Sequence, residues 1–163
     1  MSLRSIVGRT VVVAAAVAAL GACGASSSTA TVVPQAPVAS GAFSYACAAG
    51  GDCGVFMTIS NTNGPADKVV AVTTNVTSRA ELHTMVMDPQ GTTAAGSQGN
   101  MMMKQVDSIA IPAAGTVDLK PGAFHVMLFG LNKELNLGDT FPLTLTYEHG
   151  GQQTVQVQVQ AKN

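Results

Sequence analysis

The chain predicts an all-β fold, an antiparallel Greek-key β-sandwich. Three observations predict it. About eight short runs are β-branched or alternate apolar with polar residues. Turn residues punctuate them. No stretch holds the period of an amphipathic helix.

The elements follow in order. Gly54–Asn61 (GVFMTISN) alternates, and Asn61-Thr-Asn-Gly-Pro65 closes it with a turn. Lys68–Asn75 (KVVAVTTN) is β-branched, and Ala80–Met87 (AELHTMVM) alternates again. Asp88–Asn100 (DPQGTTAAGSQGN) is a small-residue stretch expected to be a long flexible loop. Asn100–Ile111 reads as one strand ending at Pro112-Ala-Ala-Gly115. Thr116–Leu119 is a short strand stopped by Pro121-Gly122. Phe124–Leu131 (FHVMLFGL) is the most apolar run. Phe141–Glu148 and Thr154–Ala161 flank His149-Gly150-Gly151, a hairpin signal. The last strand alternates cleanly, one face for the core and one for water.

The N-terminus reads as an export signal. Arg4 and Arg9 precede a short apolar run from Thr10 to Leu20, too short to span a bilayer. Leu20-Gly21-Ala22-Cys23 resembles a bacterial lipoprotein processing site, which implies a signal over residues 1–22 and a lipid on Cys23. Residues 23–41 are rich in Ser, Ala, Thr and Pro and carry no charge, as a tether would. Residues 42–163 are then one domain, lipid-anchored to a membrane on the extracytoplasmic side of a bacterial cell envelope. Cys47 and Cys53, exported and closely spaced, are expected to form a disulfide; a thiol metal site is the alternative, weakened by their distance in sequence from the His/Met window.

Removing the signal leaves 6 basic and 9 acidic residues, with no Lys/Arg cluster. Such a surface suits neither nucleic acid nor anionic headgroups. There is no nucleophile–base motif, phosphate-binding glycine loop or paired carboxylate, so no enzyme is expected.

The chemistry concentrates in one window. Of 8 Met, six (Met85, Met87, Met101, Met102, Met103, Met127) lie in a window that also holds His83 and His125. Residues i and i+2 of a strand share a face, so His125 joins Met127, and His83 joins Met85 and Met87. Met101 and Met103 share a face, with Met102 opposite. Neutral imidazole and thioether donors suit Cu(I). The window lacks the Cys of a zinc-thiolate or blue-copper site. Taken singly, each residue has a plainer reading: Met127 as core, His149 as a solvated turn residue.

The stretches Glu81-Leu-His83-Thr-Met85-Val-Met87, Met103-Lys-Gln-Val106, Ile109-Ala-Ile-Pro112, Gly115-Thr-Val, Leu119-Lys-Pro-Gly122, His125-Val-Met127-Leu and Gly130-Leu together resemble the PCu(A)C-type periplasmic copper chaperones. The resemblance implies a cupredoxin-like sandwich with a Cu(I) site of His, Met, His and Met. Residues 104–124 separate Met103 from His125, and Val126 alone separates His125 from Met127; both intervals match the family. The interval from His83 to Met103 is longer than the family's, whose Met position would fall on Ala94; the excess lies in the loop Asp88–Asn100, where added length is tolerable. The implied ligands are His83, Met103, His125 and Met127, with Met101 as an alternative to Met103, and Met85, Met87 and Met101 as additional donors. The implied partner is a copper-accepting membrane protein such as a haem–copper oxidase subunit. Copper scavenging and a metal-free interaction module are the alternatives.

Overall fold

Among the described residues the chain forms ten strands, and alternating apolar positions let the central ones bury one face. The computed structural model describes residues 35–87 and 101–162. The signal segment, Cys23, the tether through residue 34 and the loop Asp88–Asn100 lie outside them. In chain order the strands are β1 (Val38–Tyr45), β2 (Cys53–Asn61), β3 (Asp67–Thr74), β4 (Arg79–Met87), β5 (Met101–Gln105), β6 (Ile109–Ile111), β7 (Gly115–Leu119), β8 (His125–Phe129), β9 (Thr140–Tyr147) and β10 (Gln152–Gln160).

The strands pair in the order β5-β4-β8-β2-β1-β10-β9-β3-β6, and β7 pairs with the far half of β2. Inward residues of β2, β4 and β8 (Val55, Leu82, Val126, Leu128) share one core with those of β3, β9 and β10 (Val69, Phe141, Leu143, Leu145, Val157, Val159). Each of these is at most 4% exposed, so this shared apolar layer is what fixes the register of the strands.

Three features depart from the sequence expectation. The domain begins earlier than residue 42, because Val38–Gly41 of the expected tether belong to β1 and Ala39 is buried. The sequence VASGAFSY hides this strand behind small residues. Its irregularity between Ser40 and Phe43 falls at Gly41, whose φ of 62° a side chain would strain. The sandwich is also not wholly antiparallel, since β1 runs parallel to β10, with Phe43 opposite Gln158 and Tyr45 opposite Gln160. Finally, Asn100–Ile111 is not one strand. The chain leaves β4 at Val106, whose N–H still donates to the Leu82 carbonyl at 2.8 Å, and then pairs with β3 as β6. Asp107 and Ser108 make the break, so Ile109 and Ile111 can enter the core from the other edge.

Cys47 and Cys53 form a disulfide, with Cα atoms 6.0 Å apart and a sequence separation of 6. It staples the turn between β1 and β2, where Cys47 also exchanges backbone hydrogen bonds with Leu135 at 3.1 and 2.9 Å. A loop this small gives a stabilisation at the low end of the usual range, ~2 kcal/mol. Cys47→Ser should therefore lower unfolding free energy by about that amount in denaturant titrations, and reduction of the parent should match it. A variant as stable as the parent would contradict this.

Candidate metal centre on the outer face of β4, β8 and β5

The antiparallel pairing of β4 with β8 sets Leu82 against Val126, His83 against His125 and Glu81 against Met127. Leu82, Val126 and Leu128 point into the core, so alternation sends Glu81, His83, Met85 and Met87, and His125, Met127 and Phe129, to the outer face. On the other side of β4, the edge strand β5 sets Gln105 against His83, Met103 against Met85 and Met101 against Met87. Opposed residues share a face. Three sequence-distant groups of donors therefore meet on one surface, with Met102 and Lys104 turned away.

Met85, Met103, His125 and Met127 line one cavity together with Gly54, Phe56, Pro121 and Gly122. Gly54 lies opposite Met127 on β2, and a Cβ there would come within 3.0 Å of Phe56 Cζ. Glycine thus leaves the cavity wall open beside the thioether. Met103, and not Met101, reaches this cavity. Its pairing with Met85 puts it one rung nearer the histidines.

Both histidines are buried despite facing outward, His83 at 7% and His125 at 5% exposure. Their hydrogen bonds fix their tautomers. His125 Nδ1 lies 2.9 Å from the Ala123 carbonyl oxygen, which only accepts, so Nδ1–H donates, and in the neutral ring Nε2 carries the lone pair. His83 Nε2 lies 2.9 Å from Glu81 Oε2, and the carboxylate again only accepts. Neutral His83 is left with a lone pair on Nδ1, a buried nitrogen without a hydrogen-bond partner among the described residues. An orphaned buried lone pair is costly unless something binds it. The two ring centroids lie 5.9 Å apart. Metal–nitrogen bonds of about 2.0–2.1 Å put each centroid about 3.2 Å from an ion, so two imidazoles can converge on one ion at this separation.

A row of rings supports the pair. Phe43, Tyr45 and Phe56 cluster with centroids 5.3–5.9 Å apart, Phe56 lies 6.3 Å from His125, and Phe129 lies 5.6 Å from His83. Arg79 covers Phe129, its Cζ 4.5 Å from the ring centroid, and its Nε donates to Glu81 Oε1 at 2.7 Å. Hydrogen bonds from His83 and then Arg79 hold the Glu81 carboxyl below the usual carboxylate range. Glu81 therefore orients His83. The sequence alone does not give Glu81 this role, though its i−2 spacing on the strand puts it on the same face as His83.

The other expected residues lie as follows. Met87, Met101 and Met102 are exposed and outside the cavity, and Met103 is 52% exposed at its rim. The cysteines are nearer this site than their place in the chain suggests, because Cys53 pairs with Leu128, next to Met127. Cys53 is inward and 2% exposed, and the disulfide engages its thiol, so it offers the outer face no donor. Cys23 lies outside the described residues. His149 is far from this face, on the β9–β10 hairpin, and its side chain is 69% exposed. It gathers with Asp67 and Glu148. The Asp67 oxygens are already engaged by the N–H groups of Lys68, His149 and Gly150 at 2.8, 3.1 and 2.8 Å, which accounts for that cluster structurally.

Comparison with known proteins places the chain within a family. Residues 28–159 match the family described as "Putative lipoprotein LpqE-like", and the chain belongs to that family. Two curated relatives are similar to it: "Putative lipoprotein Lxx21020" of Leifsonia xyli subsp. xyli, 31% identical over 112 residues, and "Uncharacterized protein RP573" of Rickettsia prowazekii, 29% identical over 109 residues. The matches cover 69% and 67% of this chain, and the chain spans only 63% and 56% of those relatives' lengths. Among solved structures, the copper-bound PCuAC domain from PmoF2 aligns with a TM-score of 0.62 at 21% identity, covering 80% of this chain and 97% of that domain. The Cu(I) form of DR1885 from Deinococcus radiodurans aligns with a TM-score of 0.55 at 28% identity, covering 85% and 86%. The fold is the cupredoxin-like β fold of PCuAC domains, as the sequence resemblance implied.

Proposed function

We propose that this chain is an extracytoplasmic Cu(I)-binding metallochaperone, held at the cell envelope by a lipid on Cys23. The observation that carries the reading is the pairing of His83 with His125, each with one ring nitrogen engaged, and the cavity that His125 shares with Met85, Met103 and Met127. These donors are neutral and soft, which suits a monovalent copper ion. The copper-bound PmoF2 domain and the Cu(I) form of DR1885 share the fold and support the choice of ion. Copper is cargo in this reading, and the chain catalyses no step. The half of the ligand set at the rim, Met103 above all, is open to a partner's ligands, so the ion can pass by stepwise exchange. This favours delivery over storage. The recipient proposed from the family resemblance is the copper centre of a haem–copper oxidase.

Transfer is the direct test. The Cu(I)-loaded protein, mixed with the apo copper-bearing subunit of such an oxidase, should lose its ion to that subunit. Retention against the recipient, with free exchange to a small chelator, would point to scavenging instead.

Glu81 supplies a second check. Glu81→Gln removes the obligate acceptor that holds His83 with Nδ1 free. Partners of this kind typically contribute 10–100-fold to metal affinity, and a loss of about that size is expected in competition titrations with unchanged thermal stability. Unchanged affinity would mean that the Glu81 carboxylate does not tune His83 as a ligand.

A further inference from the structure

The rung formed by Met87 and Met101 is left over once the cavity has been accounted for. Seven large apolar side chains are exposed among the described residues, and four are methionines of β4 and β5: Met87 (67%), Met101 (49%), Met102 (51%) and Met103 (52%). β5 is an edge strand, exposed along its whole length. Apolar side chains on an edge invite unwanted pairing, and Lys104 is the one charge there to oppose it. β-Branched residues would make the better strand. What methionine adds is a flexible stem and a soft sulfur donor.

The register arranges these sulfurs as a ladder. Met85 faces Met103 and Met87 faces Met101, on the surface that also carries His83 and His125. Facing Cβ atoms in an antiparallel pair lie about 4.5–5.5 Å apart, and successive rungs on one face follow at about 7 Å. Two facing thioethers on such stems can close on one ion, with a third from the next rung. The geometry points to a second site for a soft monovalent cation, Cu(I) or Ag(I), held by Met87 and Met101 with a sulfur of the Met85–Met103 rung. It lies one rung outward from the cavity. All its donors are thioethers and Met87 and Met101 are exposed, so it binds more weakly and exchanges faster than the histidine site. Its use as an entry or exit position for copper rests on the proposed function; the sulfur site itself does not.

The test is titration of the full-length protein, carbon-13 labelled at the methionine methyls, with Ag(I) and, anaerobically, with Cu(I). Two ions should bind, the first shifting the methyls of Met103 and Met127 and the second those of Met87 and Met101. Met87→Leu with Met101→Leu should reduce the stoichiometry from two to one and leave the first ion's affinity unchanged. Both positions are exposed and leucine is close in volume, so the fold should persist. Met102→Leu, on the opposite face, should still bind two. A parent protein that binds one ion, with Met87 and Met101 unshifted, overturns the second site and leaves the cavity reading intact. A single ion that shifts Met87 and Met101 but not Met127 supports the methionine site and removes the cavity reading instead. Equal stoichiometry in the parent and the double variant also overturns the proposal.

Discussion

His125→Ala should lower Cu(I) affinity by more than the ~100-fold upper range for an outer-shell partner, because it deletes a donor itself. The residue is 5% exposed, its Nδ1–H is anchored on the Ala123 carbonyl, and it lines a cavity with three methionines, Met85, Met103 and Met127. Among the described residues, no neighbouring imidazole offers a replacement except His83, which the reading already uses. Met127→Leu should weaken binding as well, and because leucine is close in volume it should leave the β2–β8 packing almost untouched. Competition titration with a Cu(I) chelator measures both, with circular dichroism to establish that each variant folds. A folded His125→Ala protein that holds copper as tightly as the parent would make His125 a packing residue.

Asp67→Ala should cost the fold substantial stability. Asp67 anchors the β9–β10 hairpin to the start of β3 by accepting three backbone N–H bonds, from Lys68, His149 and Gly150. Its side chain is 4% exposed, and alanine leaves those three donors without their acceptor. A loss of ~2–4 kcal/mol is expected from hydrogen bonds to a charged group. The pH dependence follows from the same contacts. Burial alone would raise the Asp67 carboxyl, but the N–H groups of Lys68, His149 and Gly150, with the His149 side chain, outweigh it and hold the group below its ordinary 3.8. A lowered folded value means that the unfolded chain takes up the proton first. The stabilisation is therefore complete well above pH 3.8 and is lost as pH falls through the lowered value. Melting curves of the parent and of Asp67→Asn should diverge near neutral pH and converge in strong acid. Equal stability of the two at neutral pH would contradict this account.

Much of the fold was legible because it rests on alternation. The run TVQVQVQA and the apolar FHVMLFGL mark β10 and β8 by period and composition, and turn residues bound them. β1 was not legible. Ser40, Gly41 and Ala42 carry little pattern, and the strand exists because β2 and β10 offer it two edges. The break between β5 and β6 was equally hidden, since it is set by which edge each half joins and not by the local sequence. At the candidate site, strand spacing put His125 with Met127 and His83 with Met85. It could not show that β4 and β8 align their histidines as direct partners. Nor could it distinguish Met101 from Met103, which lie on the same face; the pairing register brings Met103, and not Met101, to the cavity. Glu81 went unassigned because its role depends on where the His83 ring turns.

The central claim is that one Cu(I) ion is held tightly by both imidazole and thioether donors on the outer face of β4, β8 and β5. The measurement that tests it most directly is X-ray absorption on the protein loaded anaerobically with one equivalent of Cu(I) in the presence of a competing chelator. The account predicts a mixed first shell of nitrogen and sulfur neighbours, losing nitrogen in His125→Ala and sulfur in Met127→Leu. Copper surrendered entirely to the chelator, or a shell of oxygen and nitrogen alone that neither substitution alters, would contradict it.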